Sequence, residues 1–211
     1  MKVLVTGSTG LLGNQVVKWF LQYYPDYQIT TLNDLSDYGV INHLFNANQF
    51  DSVIHLAPTL GQNTQGSQNL LDAANENWLG NHDAHRFLFI TSDIRQGEHL
   101  LNEYNGQYGM NLLVSSCEEA FASSDFPFIF SAIAEQNINS KNILPLYAKG
   151  QQVPEWFWVE EQACAIDVLL HQAEAGKVYA IGGMNAWKRS DLEYSPIVKP
   201  NEHHFQHISA H

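Results

Sequence analysis

Residues 2–19, KVLVTGSTGLLGNQVVKW, join an apolar run ending in glycine to a segment whose apolar residues recur at helical spacing up to Pro25. The stretch predicts a strand, a tight turn and a helix. Gly7, Gly10 and Gly13 punctuate that turn at GxxGxxG spacing. The first permits the sharp turn, the second lets a diphosphate approach the backbone, and the third lets helix and strand pack closely. A plain glycine-rich βα turn has the same composition. The position directly after a strand, with a second strand near residue 30, is the context a dinucleotide site requires.

Working outward, YQITTL reads as the second strand, VINHLFNANQ as a short helix, and FDSVIHLA as a strand apolar enough to lie inside a parallel sheet. SQNLLDAANENWL then reads as a helix, RFLFITSD as a strand, GMNLLVSSCEEAFASS as a helix and FPFIFSAI as another buried strand. Alternating β and α units with short joints imply a doubly wound parallel sheet, whose ligands sit at the carboxyl ends of the strands. After about Ala134 the rhythm changes to LPLYAKGQQVPEWFWVEEQACAIDVLLHQ and GKVYAIGG, read as a strand-turn-strand, a helix and a further strand. The expected division is therefore a nucleotide-binding domain over 1–134 and a smaller, reduced lobe over 135–211 packed on it.

Asn33 and Asp34 end the second strand, about 20 residues beyond Gly13, where a carboxylate accepts hydrogen bonds from an adenosine ribose. No arginine follows to meet a 2′-phosphate, so NAD is expected over NADP. Asp34 would equally serve as a helix cap, and Asp37 is its rival within DLSD.

With 211 residues, one compact body with a substantial core is expected. No apolar run approaches the roughly 20 residues needed to span a bilayer, and the N-terminus is too short in apolar residues for a secretory signal. A soluble, cytoplasmic protein is the expectation. Twenty-two acids against ten bases leave a formal charge of −12, which repels phosphate backbones and argues against nucleic acid as a partner. Cys117 and Cys164 are isolated and read as half-buried thiols. In the tail, His203, His207 and His211 are four apart, a spacing that can hold a metal on a helix. A fraying polar terminus explains them as well, and no metal is expected.

Taken in order, VTGSTGLLG, FDSVIHLA, NTQGSQNLLDAANENW, RFLFITSD, the WFWVEEQACAIDVLL segment and GKVYAIGG resemble the extended short-chain dehydrogenase/reductase family. Within it, the likeness is to the dTDP-glucose 4,6-dehydratases. Asn63 and Gly66 with NLLDAA match the family's NxxGxxNLLEAA helix, and Trp156, Val159 and Glu160 fall on its DWLYVED segment. The chain is shorter than the family norm. The third-strand region and the loop after HLA look cut, most of the substrate lobe is missing or compressed, and VKPNEHHFQHIS resembles the remnant of its last stretch.

The resemblance implies a Rossmann fold and an NAD-dependent enzyme that oxidises a nucleotide-linked sugar at C4, eliminates water between C5 and C6, and returns the hydride to C6. It implies a cofactor set of Gly7, Thr9, Gly10, Leu11, Leu12, Gly13, Asn33, Asp34, Leu56 and Ala57. It also implies catalytic roles for Tyr104 as base, Ser92 in place of threonine, and Asp93 as acid. The substrate class is a dTDP-hexose type of nucleotide sugar, and pairing with itself or with an active homologue is expected through the helices near SQNLLDAAN and NEYNGQY.

Three positions depart from the pattern. Tyr108 stands where the lysine partner of the tyrosine belongs, Ile94 where a glutamate base belongs, and Pro154 where an arginine grips phosphates. A free phenol titrates at about 10 and needs a neighbouring cation to act near neutrality. No lysine lies between Lys18 and Lys141, which leaves Arg86 and Arg95 in the central part of the sheet domain, and Arg95, two residues after Asp93, is the candidate substitute. Two readings follow: a weakened 4,6-dehydratase, or an inactive paralogue serving as a nucleotide-binding or assembly module. Aromatic packing is the plain account of Tyr104 and Tyr108, and capping that of Asp93.

Overall fold

A computed structural model describes residues 1–57, 64–117, 120–121, 157–181 and 208–210. The chain opens with β1 (Lys2–Thr6), α1 (Leu11–Tyr23), β2 (Gln28–Leu32), α2 (Tyr38–Asn48) and β3 (Ser52–Leu56). It continues with α3 (Thr64–Asn77), a 3-10 turn (His82–Ala84), β4 (Arg86–Thr91), α4 (Ile94–Tyr108) and β5 (Leu112–Cys117). Short strands β6 (Ala120–Phe121) and β7 (Phe157–Trp158) pair with each other, followed by α5 (Val159–Gln172), β8 (Val178–Ile181) and β9 (Ile208–Ala210). The sheet order is β2-β1-β3-β4-β5-β8-β9, parallel up to β8 and antiparallel only at β9. This is the doubly wound parallel sheet that the alternating pattern predicts, a Rossmann fold.

Successive strand residues point to opposite faces, so a strand covered on both sides must be apolar throughout. Leu4, Val53, Phe87 and Leu112 bury one face under α2, α3 and α4. Val3, Val5, Ile54, Leu88 and Leu113 bury the other under α1 and α5, against Val16, Phe20, Ile166 and Leu169. No strand beyond β2 is paired to it among the described residues, and only Asn33–Asp37 separate it from α2.

Two expectations need correction. Residues 112–117, within the stretch read as a helix, form β5. LLVSS carries no helical period and is buried on both faces, which suits a central strand. The helix lies just before it, as α4, and ends at Gly109 in the left-handed conformation (φ 69°). Its sequence IRQGEHLLNEYNGQY is mostly polar and buries only Gly97, Leu100, Leu101 and Tyr104, too narrow a stripe to announce itself. The division at residue 134 also fails to separate sheet from lobe. α5 covers α1 and the sheet, and β8 pairs with β5 as the sixth parallel strand, so both belong to the sheet body. FPFIFSAI lies outside the described residues. No helix among those described is long and apolar enough to cross a membrane.

Candidate functional site

At the carboxyl end of β1 the chain reverses through Gly7, whose φ of 72° favours glycine. The Gly10 N–H donates to the Gly7 carbonyl at 3.1 Å and closes the turn. A Cβ on Gly7 would stand 2.7 Å from the Leu56 carbonyl oxygen, and one on Gly13 would stand 2.1 Å from the Gly7 carbonyl oxygen. Both positions exclude a side chain by packing, Gly7 by its positive φ as well. Gly10 differs: a Cβ there would meet only the Gly7 oxygen, at 3.4 Å, and the residue is exposed.

Gly10 is the N-cap of α1 and supplies no side-chain bond, and no acid occupies the first turn. The N–H groups of Leu11, Leu12 and Gly13 have no partner within the helix, because the first intrahelical bond runs from Asn14 to the Gly10 carbonyl. Three amides and the positive end of the helix dipole therefore face the exposed surface beside Thr9, Gly10 and Leu11, a geometry suited to an anion.

Asn33 and Asp34 lie beside this turn at the end of β2. The Ser8 hydroxyl donates to Asn33 Oδ1 at 3.1 Å, tying the turn to that strand end. Asp34 is exposed, and its Oδ1 accepts from the Ser36 N–H at 3.0 Å and the Ser36 hydroxyl at 2.7 Å. Those bonds hold its carboxyl below the usual range. Asp37 is the N-cap of α2, accepting from the Val40 N–H, which leaves Asp34 as the carboxylate free of helix-capping duty. Leu56 ends β3 with its carbonyl against Gly7, and the Ala57 N–H donates to the Ile90 carbonyl at 2.9 Å, so both lie at the same sheet edge.

Beneath the turn runs a buried polar chain that the sequence reading missed. Thr6 and His55 are cross-strand neighbours, and Thr6 Oγ1 is hydrogen-bonded to His55 Nδ1 at 2.5 Å. His55 Nε2 is hydrogen-bonded to Ser67 Oγ of α3 at 2.8 Å. Burial pushes the imidazole down to about 3, so it is neutral at physiological pH. The available signal was one histidine within the apolar run of residues 53–56 in β3.

The catalytic candidates divide. Ser92 is exposed and Asp93 half-buried, directly after β4 and thus at the same carboxyl edge. Asp93 is the N-cap of α4: its Oδ1 accepts from the Arg95 and Gln96 N–H groups at 3.1 and 3.3 Å, and its own N–H donates to Thr91 Oγ1 at 3.0 Å. Ile94 packs on the core and Arg95 is exposed in the first turn.

Tyr104 is not with them. Ten residues beyond Ile94, it sits about 15 Å down the helix, toward the amino edge of the sheet. It is 1 % exposed. Its hydroxyl donates to Asp72 Oδ1 at 2.6 Å and accepts from Gln68 Nε2, both on α3. Burial and that carboxylate drive its pKa far above the usual value. This corrects the expectation of a catalytic tyrosine: a base must reach the ligand at the carboxyl edge, and Tyr104 is a core residue at the other end. Tyr108 is 49 % exposed and packs its ring 5.7 Å from that of Tyr104. Aromatic packing, the plain account, holds for the pair.

Among the described residues no group of three or more His, Cys, Asp or Glu is placed to hold a metal. Pro154, Trp156, Asn63 and the histidines at 203, 207 and 211 lie outside the described residues, as does the side chain of Cys117. Cys164 is a half-buried thiol pushed up to about 11 by burial and then by Asp167.

No protein-family model matches the sequence. The chain is similar to the dTDP-glucose 4,6-dehydratase of Escherichia coli, 25 % identical over 272 aligned positions covering 92 % of this chain and 75 % of that protein. Those 272 positions exceed the 211 residues present here, so segments of the relative are absent from this chain. Among solved structures, it is similar to the dTDP-glucose 4,6-dehydratase of Bacillus anthracis in complex with NAD, with a TM-score of 0.67, 19 % identity and coverage of 88 % and 76 % of the two chains. It is also similar to the dTDP-glucose 4,6-dehydratase DesIV of Streptomyces venezuelae with NAD and TYD bound, with a TM-score of 0.63, 20 % identity and coverage of 87 % and 76 %.

Proposed function

We propose that the chain, a homologue of the dTDP-glucose 4,6-dehydratases, belongs to the extended short-chain dehydrogenase/reductase family, binds NAD at the glycine turn and is a 4,6-dehydratase-type protein with weakened turnover. The observation that carries the binding half is the turn itself, where Gly10 leaves the start of α1 exposed and the N–H groups of Leu11, Leu12 and Gly13 have no partner within the helix. The amides of Leu11, Leu12 and Gly13 would hold the diphosphate, Asp34 with Asn33 the adenosine ribose, and Leu56 and Ala57 would flank the dinucleotide. NAD would supply the hydride acceptor for oxidation at C4 and the donor for reduction at C6. A nucleotide sugar of the dTDP-hexose type as second ligand is supported by the names of the relatives and by the TYD bound to one of them.

Weakened turnover rests on the residues that would move protons. Tyr104 is held in the core by Asp72 and Gln68, Tyr108 is no cation, and Ile94 is no base. Ser92 and Asp93 remain at the carboxyl edge, with the Asp93 carboxylate committed to its helix. The burial of Tyr104 equally favours the second reading, an inactive paralogue that binds nucleotide or assembles, through α3 and α4, with itself or with an active homologue.

Calorimetric titration with NAD of the natural chain and of Gly10→Glu tests the binding half. A Cβ at Gly10 would meet only the Gly7 oxygen, at 3.4 Å, and the position is exposed, so the fold is kept while a negative charge meets the diphosphate. The expected result is an affinity about tenfold lower or worse at an unchanged Tm. Equal heats from both proteins would remove the site. Rapid conversion of dTDP-glucose to a 4-keto-6-deoxy product, read by its absorbance in alkali, would remove the weakened turnover.

A further inference from the structure

His55 is 1 % exposed and hydrogen-bonded at both ring nitrogens, yet diphosphate binding does not itself call for an imidazole at that place. Its neighbours give it a mechanical task. Two consecutive residues of β3 hold the last residue of β1 and the first residue of the turn: His55 bonds Thr6, and the Leu56 carbonyl abuts Gly7. Thr6 is the last strand residue before the turn, and Ser67 lies in the first turn of α3. The ring is thus a strut between the base of the glycine turn and a second helix start. Phe89 and Phe87 stand edge-on to it at 5.1 and 6.4 Å and hold its plane. A neutral imidazole has one donor and one acceptor, and each hydroxyl can donate or accept, so both contacts are satisfied in either tautomer.

We infer that His55 is a positioning residue: through Thr6 it sets the pitch of the Gly7–Gly10 turn, and so how tightly the N-terminus of α1 takes a diphosphate. This rests on the dinucleotide reading above and adds a determinant that never touches the ligand. An apolar residue of similar size would fill the space but leave two buried hydroxyls unpaired and the end of β1 free to shift.

Two substitutions in the full chain separate positioning from filling. His55→Asn brings an amide to the place of Nδ1 and keeps the Thr6 contact. His55→Gln reaches the place of Nε2 and keeps only the Ser67 contact. Both lose ring volume, so both lower the Tm. The expected result is a Kd for NAD within about twofold of the natural chain for His55→Asn and about five- to tenfold weaker for His55→Gln, the factor one net hydrogen bond carries. Adenosine, which has no diphosphate, binds all three proteins alike. Without ligand, exchange of the Gly10 amide, bonded to Gly7 at 3.1 Å, quickens by a similar factor in His55→Gln alone.

Equal Kd values and equal Gly10 exchange in the two variants overturn the inference and leave a plain buried histidine. Should neither variant fold, Thr6→Val, which removes one oxygen at nearly constant shape, takes their place, and unchanged NAD affinity and Gly10 exchange overturn it. If the natural chain binds no NAD, the dinucleotide reading falls, and Gly10 exchange alone decides whether His55 sets the turn.

Discussion

At His55, folding removes a titratable ring from water and holds it neutral, whereas the unfolded chain binds a proton at about pH 6.5. The folded pKa lies below the unfolded one, so the stabilisation is full above about pH 6.5 and is lost as the pH falls toward about 3. Between those limits the unfolded state holds one more proton, and the cost reaches about 2 kcal/mol at pH 5. Urea unfolding at pH 7.5 and pH 5 checks this: the midpoint should fall by that equivalent, and His55→Asn should remove the His55 share of the difference. Tyr104 shows the opposite limit of legibility at this scale. Its type was readable, but whether a phenol faces a ligand or a neighbouring Asp72 depends on α3, more than 30 residues earlier in the chain.

Among the elements, α4 carries the most consequence for chemistry. It starts two residues after β4, so the carboxyl edge of that strand leads straight into a helix N-terminus. Asp93 caps it, and a lost cap costs about 0.5–2 kcal/mol. Asp93→Ala should lower the urea midpoint by that amount, and Asp93→Ser, a cap without an acid, should restore most of it. If Asp93→Ser is as unstable as the alanine variant, the charge and not the cap is what matters there. The glycine turn was legible because each of its requirements is local: a positive φ, a strand before it and a helix after it. α4 and β5 were not, since a polar helix with four buried residues and a short apolar strand differ in what covers them, which no window of sequence contains.

Across the whole molecule, α5 and β8 close the face that α1 begins. Ala163, Ile166, Leu169 and Leu170 pack against Val3, Val16, Phe20, Ile54 and Leu88. Asp167 accepts from Trp19 Nε1 at 2.9 Å and the Tyr24 hydroxyl at 2.8 Å, and Arg86 donates to the Leu170 carbonyl at 2.8 Å. Each large apolar side chain buried there contributes about 1.5–3 kcal/mol, and their sum rivals the roughly 5–15 kcal/mol that keeps a domain folded. A chain truncated after Ala134 should therefore lack a cooperative thermal transition and bind a hydrophobic dye. A sharp melt from that fragment would show that the first five strands stand without α5 and β8. Sequence alone determined the strand-turn-helix of residues 2–19, the alternation that makes a doubly wound sheet, and the absence of a lysine four residues after Tyr104, because these depend on residue type and near neighbours. Tertiary structure alone decided that Tyr104 belongs to the core, that Asp93 is bound to its own helix, that His55 braces the turn, and that β8 extends the sheet. Those outcomes come from burial and hydrogen bonds between segments far apart in the chain, and such partners meet only when the sheet assembles.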